Sequence, residues 1–351
     1  MKAAVYFGQR DVRVIDVEEP KVKHPNHVKV KVAYCGICGS DVEEYLYGPI
    51  VIPQQPHILT GKQLPIIMGH EFTGIVVDTG EEVQHLNIGD EVVVNPVMGC
   101  GECNFCKTDT PCLCEKMACM GLGTDGAFAE YVMVPSEKCH KAPHGNRLDK
   151  LALTEPAAVG FRAIKKAGLT VGDNIMIIGA GTIGLFIIQM ARIAGARQIF
   201  VTEVDPSKRK LAKKMGATVV FDPATDCVEE EIRKVLNNEK VDKIIVSAGE
   251  QSVPGFASEL AAQAGLVILI GISPQPCPVN TNDIVISEKV LMGSHGYNSN
   301  DFSKTIQLLV ADTIKTEDII NKKISLDDIV TKGFHEIEKN PSQHIKILVS
   351  P

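Results

Sequence analysis

The sequence has no apolar stretch long enough to cross a bilayer, and its N-terminus meets charged Arg10, Asp11 and Arg13 before any run reaches signal-peptide length. It has no basic excess either: 36 lysines and arginines stand against 43 acids, a net charge of -7, so no broad basic face is offered to nucleic-acid phosphates. Internal repeats and low-complexity segments are missing as well. These absences predict a cytoplasmic globular protein whose partner is a small diffusible molecule, neither membrane nor nucleic acid. The 351 residues, 44% hydrophobic and 23% charged, have room for two domains of ordinary size.

Cysteine, by contrast, is plentiful. There are eleven, an odd number, and five crowd between Cys100 and Cys114. In a reducing compartment such crowding points to metal rather than to disulfides.

The first half reads as short alternating strands, His27 to Tyr34, Phe72 to Val77 and Glu91 to Val94, separated by Gly, Pro and Asn. From about Thr170 the pattern becomes apolar runs (Asn174 to Ile178, Ile199 to Val204, Lys243 to Val246, Leu266 to Ile270) with helix-length segments between them. Alternation of that kind predicts an α/β fold with a parallel, doubly wound sheet. After about Lys289 it breaks down, and the tail ends on a strand, Ile345 to Val349, which we assign to the first domain. The expected organisation is a β-rich domain from 1–155 and 290–351, with the parallel sheet, 156–289, inserted into it.

Cys100, Cys103, Cys106 and Cys114 are separated by two, two and seven residues. A tight knuckle plus one returning cysteine can bring four thiolates to about 2.3 Å from a tetrahedral zinc, which predicts a closed, structural site in a lobe at about 95–120. Gly99 and Gly101 let the chain turn; Cys112 is a fifth candidate, and an iron-sulfur cluster or unliganded thiols are the other readings.

A second set is dispersed: Cys38 in Cys35-Gly36-Ile37-Cys38-Gly39-Ser40-Asp41, His70 and Glu71 in Gly69-His70-Glu71-Phe72, and Glu155 before Pro156. A thiolate, an imidazole and a carboxylate form a three-ligand set that leaves the fourth zinc position open, the arrangement of a catalytic metal. Singly, each has a plain structural reading. Ser40 with Glu43 three residues on matches a helix capping box, which would make Ser40 an N-cap.

The run Ile175 to Ile178, then Gly179-Ala180-Gly181-Thr182-Ile183-Gly184, is a strand followed by Gly-x-Gly-x-x-Gly and a helix start. The first Gly turns the chain, the second admits a pyrophosphate, and the third lets the helix, starting at Thr182 and Ile183, pack on the strand. A second strand ends at Glu203, 19 residues after Gly184, where a carboxylate holds ribose hydroxyls and repels a 2′-phosphate. NAD is therefore expected over NADP, with Asp205 a rival acid and Lys208 and Arg209 close by.

With these residues in view, the chain resembles the zinc-containing medium-chain alcohol dehydrogenases along its whole length. The Cys38 and His70 motifs, the four-cysteine lobe, Gly89-Asp90-Glu91-Val92-Val93, Gly126 to Tyr131 and the glycine fingerprint occur in the family's order. Within it, the chain is similar to the 2,3-butanediol dehydrogenase branch, through Tyr45 to Ile50, His57 to Gly61, Asn282 to Val285, Glu288-Lys289 and the closing Lys346 to Val349. The resemblance implies a Rossmann sheet inserted into a GroES-like catalytic domain, two zinc ions per chain, NAD, and a homodimer or homotetramer. It implies that Cys38 and His70 bind the catalytic zinc, with Glu155 and Glu71 competing for the third position. We favour Glu155 as ligand and Glu71 as a supporting or exchanging carboxylate.

On the same likeness Ser40 joins the proton path, the substrate is a diol or hydroxyketone of the 2,3-butanediol/acetoin type, and the glycine turn with Glu203 and Arg209 binds cofactor. Many simple members carry histidine three residues after the relay Ser or Thr; here Glu43 stands there, leaving Glu43, His57 or a water on Glu155 as proton exits. Candidate pocket residues are Ser40, Tyr45, His57, Glu155, His295 and Tyr297. Three rival readings remain: a sorbitol-like polyol dehydrogenase, a zinc-lobe nucleotide sensor without activity, and a zinc-free reductase of the same fold.

Overall fold

Alternating valine and lysine in His27-Val-Lys-Val-Lys-Val gives the first long strand one apolar face. In the computed structural model, which describes residues 1–273 and 275–351, this strand runs His27–Gly36, and Val28, Val30 and Val32 are buried. It pairs antiparallel with Glu71–Thr79 on one side and, at its end, with the closing strand Lys346–Ser350 on the other. The sheet continues through Glu91–Val94 to Cys139–Lys141, and through Lys346–Ser350 to Ile320–Ser325, with Tyr131–Pro135 also pairing on His27–Gly36. Its core contains Phe72, Val92 and Phe128. A separate three-stranded sheet holds Asp11–Asp16, Lys2–Gly8 and Ile66–Ile67 in that order. These elements form one unit, Met1–Glu155 with Asn298–Pro351.

The other unit, Pro156–Tyr297, is built on a six-stranded parallel sheet. Its strand order is Val219–Phe221, Gln198–Thr202, Asn174–Ile178, Val241–Val246, Ala261–Leu269, Val290–Gly293. Numbered along the unit, that is 3-2-1-4-5-6, the doubly wound dinucleotide-binding order. Asn174–Ile178 is buried at all five positions, as a central strand covered on both faces requires.

One sequence expectation is corrected here. The strand Val290–Gly293 was expected beyond the parallel sheet but pairs with Ala261–Leu269 as its sixth member. It is short, three apolar residues and a glycine, and largely exposed at the sheet's edge. Among the described residues, no helix is long and apolar enough to cross a membrane.

Candidate active site

Cys38, His70 and Glu71 are far apart in sequence and adjacent in space: one donor atom from each lies within 4.8 Å of the others. Strand register brings them together. Gly36 sits opposite Glu71 on one side and Leu348 on the other, so the exit of one strand and the entry of the next are held side by side. Gly36 has to be glycine, because a Cβ there would lie 2.1 Å from the Glu71 Oε2.

From Gly36 the chain turns into the helix Gly39–Tyr47, with Cys38 as its N-cap. The Asp41 carboxylate accepts a 2.9 Å hydrogen bond from the Cys38 amide. Ser40 is therefore not the cap that its spacing from Glu43 suggested; the helix begins two residues earlier, and Asp41 occupies the position expected of Glu43. The other Asp41 oxygen lies 3.4 Å from the His70 Nδ1, both groups being buried. A carboxylate facing one nitrogen of an imidazole orients the ring and leaves the opposite nitrogen for a metal.

The electrostatics favour a cation. Burial disfavours a charged His70, yet Asp41 and then Cys38 outweigh it and hold the imidazole well above the usual histidine range. Neither His70 Nδ1 nor Asp41 Oδ1 meets a hydrogen-bond partner of good geometry. Thiolate, imidazole and carboxylate, in a pocket that draws positive charge, are a donor set that fits zinc.

The two carboxylate candidates are placed differently. Glu71 lies within the donor group, and both its oxygens accept hydrogen bonds from the buried Lys346 Nζ, at 2.8 and 2.7 Å. Glu155, in the first turn of the helix Thr154–Ala167, is not among the atoms within 4.8 Å, although its charge acts on Lys346 and on Cys119. Lys346 and Asp41 were missed as site residues. The available signal was a lone lysine opening an otherwise apolar closing strand, and an acid three residues after Cys38 at a helix start.

Cys100, Cys103, Cys106 and Cys114 form the second group of donors within 4.8 Å; Cys112, buried nearby, is not one of them. Backbone amides point at the sulfurs: Cys103 to the Cys100 Sγ, Cys106 to the Cys103 Sγ, Cys100 and Lys116 to the Cys114 Sγ. The amides of Glu102 and Cys103 draw the Cys100 thiol down to about 6, while burial pushes the Cys106 thiol up to about 12. A Cβ on Gly99 would meet the Cys106 Sγ at 2.5 Å. Four sulfurs so held, with donors stabilising thiolates, fit a closed tetrahedral zinc.

In the parallel-sheet unit the three fingerprint glycines have distinct roles. Gly179 has φ 97°, a Cβ on Gly184 would strike the Gly179 carbonyl oxygen at 2.1 Å, and a Cβ on Gly181 would enter open space. That space lies at the start of the helix Thr182–Ile193, whose N-terminus has no side-chain cap, a cradle suited to a pyrophosphate. Glu203 is folded onto this turn, accepting from the Ala180 amide at 2.8 Å and the Asp205 amide at 3.0 Å. Asp205 is the N-cap of Pro206–Met215, its carboxylate accepting from the Ser207 and Lys208 amides. Arg209 donates to the Glu203 and Val204 carbonyls and pairs with Asp222, bracing the strand end that carries Glu203.

Of the proposed pocket residues, Tyr45 is 3% exposed and stacked on Phe334, so it is packing. His57 accepts from the Leu59 amide in a loop turn, and Tyr297 is buried.

Comparison with known proteins gives this geometry a family. Residues 24–144 match the alcohol dehydrogenase GroES-like domain, and residues 182–311 match the zinc-binding dehydrogenase domain. The (R,R)-butanediol dehydrogenase of Bacillus subtilis (strain 168) is 38% identical over the whole of both chains. The chain belongs to the zinc-dependent medium-chain alcohol dehydrogenases. Among solved structures of this family, that of 2R,3R-butanediol dehydrogenase from Bacillus subtilis aligns with a TM-score of 0.92 and 36% identity, covering 100% of this chain and 99% of that one. A zinc-binding dehydrogenase from Sinorhizobium meliloti 1021, solved with NADP, aligns at 0.87 and 31%, covering 100% and 99%. The alcohol dehydrogenase fold expected from the sequence, a Rossmann sheet within a GroES-like domain, is the one present.

Proposed function

We propose that this alcohol dehydrogenase interconverts 2,3-butanediol and acetoin, using NAD and two zinc ions per chain. The observation that carries the reading is the convergence of Cys38, His70 and Glu71 beside Lys346, in a chain 38% identical to a butanediol dehydrogenase. Cys38 and His70 would hold the reactive zinc, and Cys100, Cys103, Cys106 and Cys114 the structural one. Because Lys346 occupies both oxygens of Glu71, we assign the third catalytic position to Glu155 and a supporting role to Glu71. When bound, the metal supplies Lewis acidity toward an alcohol oxygen and the nicotinamide supplies the hydride acceptor.

The chain's own residues do the rest. Asp41 faces the His70 Nδ1 and favours the ring orientation by its charge. Ser40, in the first helical turn after Cys38, relays the hydroxyl proton, accepting it from the alcohol while passing its own proton on toward solvent. Glu203 accepts hydrogen bonds from the ribose hydroxyls, and its negative charge repels the 2′-phosphate of NADP. The three glycines and the bare helix N-terminus receive the pyrophosphate.

Five cysteines crowded between Cys100 and Cys114, four of them converging as one donor group, support a reducing, cytoplasmic location. A homo-oligomer is supported by the edge strand Val290–Gly293, paired on one side only, with Val290 and Leu291 exposed beside exposed Val285 and Ile286. Such an edge pairs readily with a second copy of itself.

The deciding assay is NADH formation with the stereoisomers of 2,3-butanediol, beside sorbitol, threonine and 2-propanol. Turnover of a butanediol isomer well above the others is expected; none on any isomer, with clear turnover of sorbitol, would move the substrate to polyols.

A further inference from the structure

The helix Gly39–Tyr47 carries Ser40, follows Cys38 directly, and is gripped at both ends by one short segment near the C-terminus. Residues Ile329–Phe334 form a π-helical turn, a rare geometry that persists where its surroundings fix it. Ile329 and Phe334 are fully buried, and the Lys332 carbonyl accepts from the Lys322 Nζ. Gly333 packs so closely on Ile37, the residue before Cys38, that a Cβ would lie 2.8 Å from the Ile37 Cδ1. At the other end of the helix, the Phe334 ring stacks on Tyr45 with centroids 5.0 Å apart, and the next residue, His335, shares a 3.0 Å hydrogen bond with the Tyr45 hydroxyl. Three consecutive residues, Gly333, Phe334 and His335, thus touch both sides of the segment that presents Cys38 and Ser40.

We propose that Gly333, Phe334 and His335 form a clamp that positions the Gly39–Tyr47 helix, setting where Cys38 and Ser40 stand relative to the alcohol. None of the three touches substrate or metal; they are positioning residues. The wide turn is what allows Gly333 to abut Ile37 while Phe334 and His335 reach Tyr45. The inference rests on the assignment of Cys38 to the reactive metal and of Ser40 to the substrate hydroxyl, and it adds to that assignment the means by which their position is fixed. Misplacing a reacting group by a fraction of an ångström is costly, so small changes in the clamp are read out at the site.

The test uses the full-length, metal-loaded enzyme. Gly333→Ala drives a methyl against Ile37; adding Ile37→Val removes the Cδ1 it meets. Gly333→Ala is expected to lower kcat/KM roughly tenfold and to shift the visible ligand-field bands of the cobalt-loaded protein, taken as the difference from Cys38→Ser to isolate that metal. The double variant should recover both. Tyr45→Phe, which keeps the ring stack and loses only the hydroxyl, should shift the bands in the same direction by less, and it serves also if Gly333→Ala does not fold. Unshifted bands in the folded variants overturn the proposal, as does an activity loss that merely follows the folded fraction. A wild-type protein inactive toward every alcohol would sink the functional reading alone, since the cobalt bands report the clamp without turnover.

Discussion

Lys346, the first residue of the last strand, binds both oxygens of Glu71, the first residue of a strand 275 positions earlier, with the lysine side chain 3% and the glutamate 0% exposed. The same ammonium donates to the Ile37 carbonyl at 2.8 Å, so all its protons are used. Removing one member of a buried pair strands the other's charge. Lys346→Met should therefore destabilise the protein by about 3–5 kcal/mol, and Lys346→Met with Glu71→Gln should recover much of that, measured by urea unfolding of metal-loaded protein. Equal stability of the single and double variants would deny the pair its role.

Cys38→Ser and His70→Ala should each abolish alcohol oxidation and leave NADH binding nearly unchanged by fluorescence titration. Metal analysis should fall from about two zinc per chain to about one. Near-normal turnover in either variant would remove these residues from the reactive site.

Glu203→Ala should raise the KM for NAD and bring NADP use closer to that of NAD, because the charge that repels the 2′-phosphate is gone. The Ala180 amide also loses its acceptor, so a small loss of stability should accompany the change. An unaltered ratio of kcat/KM for the two cofactors would place the ribose contact elsewhere.

Asp149 supplies an acid-range stability term. Burial raises its pKa, but hydrogen bonds from Arg147 and Lys323 outweigh it and hold the carboxyl at about 2. A depressed carboxyl stabilises the fold above its ordinary value and loses that contribution as pH falls from about 4 to about 2. Since Arg147 and Lys323 are about half exposed, the term is about 1 kcal/mol. Asp149→Asn should be less stable at neutral pH, with that segment of the wild-type pH dependence missing; identical pH profiles would refute it.

Leu291→Lys should weaken self-association without changing the fold of a single chain. Light scattering should report a smaller species than wild type, at unchanged circular dichroism. An unaltered mass would exclude this edge as the contact between copies.

The sequence alone determined the parts whose physics is local. Strand periodicity, the Gly-x-Gly-x-x-Gly turn and closely spaced cysteines each act over a few residues, so the parallel sheet and the four-sulfur group are written in short segments. The likeness of separate motifs, in order, carried the family.

Tertiary structure decided everything that depended on register between distant segments. Glu71 and Glu155 look equivalent as acids; only the pairing of Lys346–Ser350 beside Gly36 shows that Glu71 already has a cation. Ser40 matched a capping rule, but the turn after Gly36 started the helix earlier and gave the cap to Cys38 and Asp41. Asp205 and Glu203 both follow the second strand; the first caps the next helix and the second folds back onto the glycine turn. Val290–Gly293 was misplaced because a short apolar segment does not say which sheet it joins; its pairing with Ala261–Leu269 decided that. In each case local rules named residues able to act, and only the strands in register show which partners each of them already has.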